Sequence, residues 1–292
     1  MFSDRQTAPG IDPPLADLMT NAHGTLRDAL GALRNLAQLL QSRMVAPKSL
    51  ASVLPDALEA CGPMRISAWT LLDALGTSST VLPARAALEA FFSPRLEELE
   101  SALAEAVKRP LGAAARLKLE EVVLQSSFEF DAGRELLQML EDAAFGRTIR
   151  VDPCDLVRAF ARPPSVHAEG REVVCAMLSS HDFGEEIDIN PRMAMTLITL
   201  GIELVGRRAG SGEPNLSITG YGLPVCTIRI KRKPLATGEP LLLTSRGVIK
   251  PTVPCLRAAA ELSGGHLEWN EASSTFSVSY PNESGARCSE TA

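Results

Sequence analysis

Aromatic side chains are scarce in this chain of 292 residues: two Trp, two Tyr and nine Phe make up 4% of it. Its cores must therefore be packed mainly from Leu, Ala and Val, and the high Ala and Leu content favours helix. Cysteines are few and scattered. Cys61, Cys154, Cys175, Cys226, Cys255 and Cys288 include no CxxC pair, which excludes the usual zinc-site spacings and leaves buried, reduced thiols of a cytosolic protein as the reading. The four histidines, His23, His167, His181 and His266, share no spacing suited to a metal. Long apolar runs are missing too: none reaches the ~18 residues that span a membrane, and Met1-Phe2-Ser3-Asp4-Arg5 does not open a signal sequence. The expectation is a cytoplasmic protein with no membrane segment. Positive charge is in deficit, with a formal net charge of −6, which argues against a nucleic-acid binder with its basic face. The one basic run, Arg229-Ile230-Lys231-Arg232-Lys233, reads as the solvated face of a strand rather than a phosphate site.

The length leaves room for two domains at about 100–200 residues each, each able to bury its own core. Residues 1–14, with Pro9-Gly10 and Pro13-Pro14, read as a flexible arm. From Leu15 to about Arg43 apolar residues recur at steps of three and four. Met19, Leu26, Leu30, Leu33, Ala37 and Leu40 form one seam, the mark of an amphipathic helix that pairs with other helices. Pro47 ends it, and two shorter helices are predicted over 48–61 and 65–75. A further helix is expected after Pro83, and Ser93-Pro94 followed by Glu97 and Glu98 has the form of a helix start, with Ser93 as N-cap. Pro110 precedes another helical run, broken near Asp131-Ala132-Gly133 and ending at Gly146. Residues 15–146 are thus expected to be an all-helical hairpin or bundle.

After Gly146 the texture changes. Thr148 to Val151 reads as a strand and Asp152-Pro153 as the start of a helix through Phe160. Arg171 to Met177 has strand character, Asp188-Ile189-Asn190 reads as an acidic turn, and Asn190-Pro191 opens an apolar helix over 192–208. Strands follow over 215–219 and 225–231, then a helix from about Val253 to Leu262 stopped by Gly264-Gly265. Strands over 266–269 and 275–280 close the region. Strands interleaved with helices imply an α+β sandwich, one sheet with helices on one face. It is placed over 147–284, with 285–292 as a flexible tail.

This order, with the local wording Arg150-Val151-Asp152-Pro153-Cys154-Asp155-Leu156-Val157, Asp188-Ile189-Asn190 and Leu256 to Trp269, resembles the ATP-binding domain of bacterial sensor histidine kinases, the Bergerat-type ATPase fold. The resemblance implies an N-box Asn that holds magnesium, an Asp that reads adenine, and a glycine-rich phosphate loop. At the aligned positions stand Thr199 and Glu203, then Arg232, then Lys250 and Thr252 either side of Pro251. A hard cation asks for oxygen ligands, and a phosphate loop for bare backbone N–H groups. Pro251 removes one such group. Three parts of the nucleotide site are missing together, so the domain is expected to be degenerate and to bind no cofactor. Gly210-Ser211-Gly212 and Gly220-Tyr221-Gly222 do not sit between a strand and a helix N-terminus as a phosphate cradle would, and they read as turns.

The C-terminal half is also similar to that of the dimeric histidine phosphotransferases of cell-cycle phosphorelays, which keep a dimerising helical hairpin beside a degenerate ATPase-like domain. That similarity implies a phospho-accepting histidine on a long helix. His23 meets the description, with Leu26, Leu30 and Leu33 at +3, +7 and +10. Gly24 stands where such a histidine is normally followed by an acid, and Asp28 is on the wrong turn to replace it. An ordinary interface histidine is the competing reading of His23. The implied partners are a response regulator, a histidine kinase or both. A homodimer through the helical half is expected because the seam needs a cover, either a second copy or the chain's own added helices. The alternative to a phosphotransfer relay is a non-enzymatic pseudokinase adaptor. A third reading is an unrelated helical interaction domain in which His23 plays no part.

Overall fold

A computed structural model of the chain describes residues 13–42, 47–109, 111–151, 174–175, 187–208, 215–219, 225–231, 252–270, 272–273 and 275–281. Residues 1–12 of the expected arm, the tail, the helix at 152–160, most of the strand at 171–177 and the glycine turns at 210–212 and 220–222 lie outside them; Pro13 and Pro14, expected in the arm, open the first helix. The architecture is α+β, a helical region followed by a sheet-and-helix region. By its internal contacts the chain divides into two units, residues 1–138 with 249–251, and residues 139–248 with 252–292.

In the first unit run α1 (Pro13–Gln41), α2 (Pro47–Ala74), α3 (Leu82–Lys108) and α4, which begins at Ala113 and ends at Phe145 in the second unit. Short connections make successive helices antiparallel neighbours. The side-chain pairs agree: Arg65 with Glu100 and Asp73 with Arg85 run in opposite senses along α2 and α3. The seam expected on α1 is the core: Leu26, Leu30, Leu33, Leu36, Ala37 and Leu40 are at most 4% exposed. On α2 the inward row is Leu50, Leu54, Ala57, Cys61, Met64, Ala68 and Leu71, again at steps of three and four. Between α3 and α4 the stack of Phe92 on Phe130, with centroids 5.5 Å apart, fills the middle.

Three helices run past the boundaries expected of them. α2 is a single helix through Pro55 and Pro63, and α3 runs through Pro94, so Ser93 is an interior residue and not an N-cap. A proline inside a helix leaves the carbonyl four residues earlier without its donor. Here those carbonyls belong to Ala51, Glu59 and Ala90, which are exposed like the prolines themselves, so water can take the bond. The apolar row on the opposite face then holds the helix together. α4 likewise continues through Asp131-Ala132-Gly133. A Cβ at Gly133 would lie 2.6 Å from the Phe92 ring. The glycine therefore leaves room for the Phe92 ring and is not a break.

The second unit contains β1 (Ile149–Val151), β2 (Val174–Cys175), β3 (Ile187–Ile189), α5 (Pro191–Arg208), β4 (Asn215–Thr219), β5 (Val225–Lys231), α6 (Thr252–Leu262), β6 (His266–Asn270) and β7 (Thr275–Pro281). Residues 187–189, expected as part of a turn, form a strand paired antiparallel with β1, Arg150 opposite Asp188. Ile187 and Ile189 are buried and Asp188 is exposed, so the alternation of a half-buried strand decided the matter. The main sheet has the order β2-β4-β5-β7-β6, with β2 parallel to β4 and the other pairs antiparallel. Its inner face carries Ile228, Ile230, Phe276, Val278, Tyr280 and Leu267, all buried. α5 lies on that face. A Cβ at Gly201 would meet the Phe276 ring at 2.6 Å and Ile230 at 2.8 Å, so the helix sits closer to the sheet than any larger residue would permit. The outer face is polar, with Thr227 and Ser279 hydrogen-bonded across β5 and β7 at 2.8 Å.

Candidate functional site

His23 lies in the third turn of α1, half-buried, one residue past buried Ala22 and three before fully buried Leu26. This is the rim of the seam, as its spacing from the leucines requires. Its Nδ1 atom is buried. Beyond it α1 presents Gly24, Arg27 and Asp28. A Cβ at Gly24 has no atom within 4 Å, so no neighbour's bulk enforces the glycine. Asp28 is 81% exposed and its carboxylate lies 3.9 Å from Arg27. Such a pair is worth little in water.

Of the five degenerate nucleotide-site positions, two have described side chains. Thr199 is exposed on α5, and its hydroxyl donates to the carbonyl of Met195, 2.9 Å away, one turn back in the same helix. An uncharged hydroxyl engaged with its own helix offers a cation less than a side-chain amide would. Thr252 is the first residue of α6 and half-buried. Glu203 falls within α5, one turn beyond Thr199. Arg232 and Lys250 lie outside the described residues, as do His167 and His181. His266 is exposed at the start of β6. Among the described residues, no three His, Cys, Asp or Glu side chains come together as a metal site would need. No described helix is long and apolar enough to cross a membrane.

Cys61 and Cys255 are reduced and buried. Burial pushes each thiol up to about 12; at Cys61 the nearby Glu100 carboxylate adds to the rise and Arg65 opposes it. Neither thiolate forms at neutral pH, so neither is a nucleophile.

Asn190 is the residue whose importance was not visible in the sequence. It was read as the start of a helix, and its Oδ1 does accept from the Met193 N–H at 3.1 Å, an N-cap bond. Its Nδ2 also donates to the Asp142 carbonyl at the end of α4, 2.9 Å away. One buried amide, 5% exposed, thus caps the start of α5 and the end of α4. Arg192 adds a contact of 3.3 Å to the Asp142 carboxylate. Only the first of these bonds has a local signal, an Asn before a helical Pro; the second joins residues 48 apart.

The geometry is that of an α+β protein with a helical unit bearing a rim histidine. No family model matches the chain, and no curated protein does. Solved structures do match. One is the histidine kinase AdeS of Acinetobacter baumannii, 12% identical, with a TM-score of 0.42 over 65% of this chain and 95% of that one. So distant a likeness carries no argument about activity.

Proposed function

We propose that the chain is a two-component signalling protein that cannot use ATP and passes a phosphoryl group between response regulators through His23. The supporting observation is the order of elements in the second unit. Three strands, a helix, two strands, a closing helix with its Gly264-Gly265 stop and two terminal strands resemble the order expected of a histidine-kinase ATP-binding domain, while Thr199 stands at an N-box position with its hydroxyl turned to its own helix. The implied setting is the cytoplasm.

In the relay, the Nε2 lone pair attacks the phosphorus of an aspartyl phosphate. The P–N bond forms as the P–O bond to the aspartate breaks, and the carboxylate leaves with its electron pair. The same step in reverse hands the group to a second regulator. Labelled phosphate from a phosphorylated response regulator is expected on the wild-type protein and not on His23→Ala. Label that persists in His23→Ala, or is absent with every regulator tested, refutes the relay.

Gly24 favours the second reading, a docking adaptor that never handles phosphate, because no carboxylate adjoins His23 in sequence to orient the ring. Regulator binding without transfer of label is its signature. Both readings exclude a working nucleotide site, so magnesium and ATP together are expected to leave the melting temperature unchanged, whereas a bound ligand would raise it.

A further inference from the structure

A helical hairpin with an apolar seam on its inner side is not stable in water until other helices cover the seam. The cover can come from a second copy or from the same chain. Here α3 and α4 supply it. The seam residues of α1 from Leu26 to Leu40 are buried, and α4 is fastened along α1 in antiparallel sense. Arg34 of α1 pairs with Asp131 of α4 at 2.7 Å. At the other end the Arg116 guanidinium donates to the carbonyls of Leu39, Leu40 and Ser42 at 2.6–3.2 Å, closing the open end of α1. On the opposite side α3 is fastened to α2 by Arg65 with Glu100 at 2.8 Å and by Trp69 against Phe92, centroids 6.4 Å apart. α3 and α4 are joined by the Phe92–Phe130 stack and by Arg95 with Glu129, whose side chain is 10% exposed. Each helix thus has two neighbours from its own chain, and the ring is closed.

We propose that the protein works as a monomer, its α3–α4 hairpin supplying in cis the two helices that the α1–α2 hairpin would otherwise take from a second copy. One particle then carries a single His23 and engages one response regulator at a time. The stoichiometry rests on the phosphotransfer reading of His23; the monomer does not. The apolar side chains left outside on α4, Leu117, Leu124 and Phe128, occupy a single helix face. Among the described residues of α4, three such side chains are few beside the roughly 20–30 residues a side of a standard interface.

Light scattering on the full chain, from micromolar to hundred-micromolar concentration, is expected to give the mass of one chain, 31.2 kDa, in both wild type and His23→Ala. The mass of two chains overturns the proposal, whether it arises by exchange of hairpins or through α4. A complex with a phosphorylated response regulator is expected to contain one chain of each; two copies of this chain in that complex also overturn it. Failure of His23 to take label, with the mass still that of one chain, would refute the relay and leave the monomer standing.

Discussion

Single residues here act mostly through what they leave room for or satisfy. Replacing Asn190 by Ala removes the acceptor of the Met193 N–H and one donor to the Asp142 carbonyl. A lost N-cap costs about 1 kcal/mol and a second side-chain hydrogen bond about 0.5–1.5 kcal/mol, so denaturant titration of Asn190→Ala should show a loss of about 1.5–2.5 kcal/mol. Asn190→Asp keeps the N-cap acceptor, loses the donor and brings a carboxylate to the Asp142 carbonyl. It should recover little of the loss. Gly133→Leu must displace the Phe92 ring and should destabilise by about 1–3 kcal/mol through overpacking; a neutral result would mean that α3 and α4 do not meet there. At Gly24, where a side chain meets open space, Gly24→Glu should fold normally and, under the relay reading, speed labelling of His23 in a stopped-time assay. An unchanged rate would show that the missing acid is not what limits transfer. The two buried thiols give a pH dependence with a definite sign. Unfolded, each ionises near 9.0; folded, only near 12. Between those values the native state holds the protons that the unfolded chain has released, so their contribution to stability is whole below pH 9 and is lost as pH rises toward 12. Urea midpoints measured over that range should fall more steeply for wild type than for a Cys61→Ala, Cys255→Ala double variant.

At the scale of elements, propensity and pattern competed, and pattern won wherever a helix had a continuous buried row. Pro55, Pro63, Pro94 and Gly133 all signal interruption when read locally. Each is overridden because the prolines sit on the wet face and the glycine faces an aromatic ring. Pro94→Ala would restore a helical N–H in an exposed turn and is expected to raise the thermal midpoint, since Pro costs an exposed helix interior about 3 kcal/mol relative to Ala. A fall instead would show that the bundle is built around a bend at that point. Arg116→Ala should expose the last carbonyls of α1 and cost about 1–3 kcal/mol, the range for hydrogen bonds to a charged donor. Hydrogen exchange should then rise at 38–42 before it rises elsewhere in α1. In the second unit the elements were legible because their signals are local: alternation in β5 and β7, Asn190-Pro191 before α5, and Gly264, at φ +83°, after α6. β3 was not. Three residues between Glu186 and Asn190 carry too little pattern, and their state is decided by pairing with β1, 40 residues away at Ile149 with Ile189.

For the whole molecule, the seam on α1 announced that helices would cover it without saying whose. Periodicity records which side of a helix is dry and nothing about the sequence distance of its cover. The covering helices are α3 and α4 of the same chain, tied on by Arg34, Arg116, Arg65 and Arg95. The division into two units after residue 138 is likewise a tertiary fact, because α4 carries no local sign of it.

What the amino-acid order determined by itself was the class of each half, the helical faces, most of the strands and the place of His23 on the rim of the α1 seam, all properties of spacing within a few residues. The tertiary structure decided which helices close the bundle, that 187–189 is a strand, that Asn190 joins two helix ends, and that Nδ1 of His23 lies inside. Each of these depends on atoms dozens of residues apart meeting in space, and such meetings leave no periodic trace in the chain.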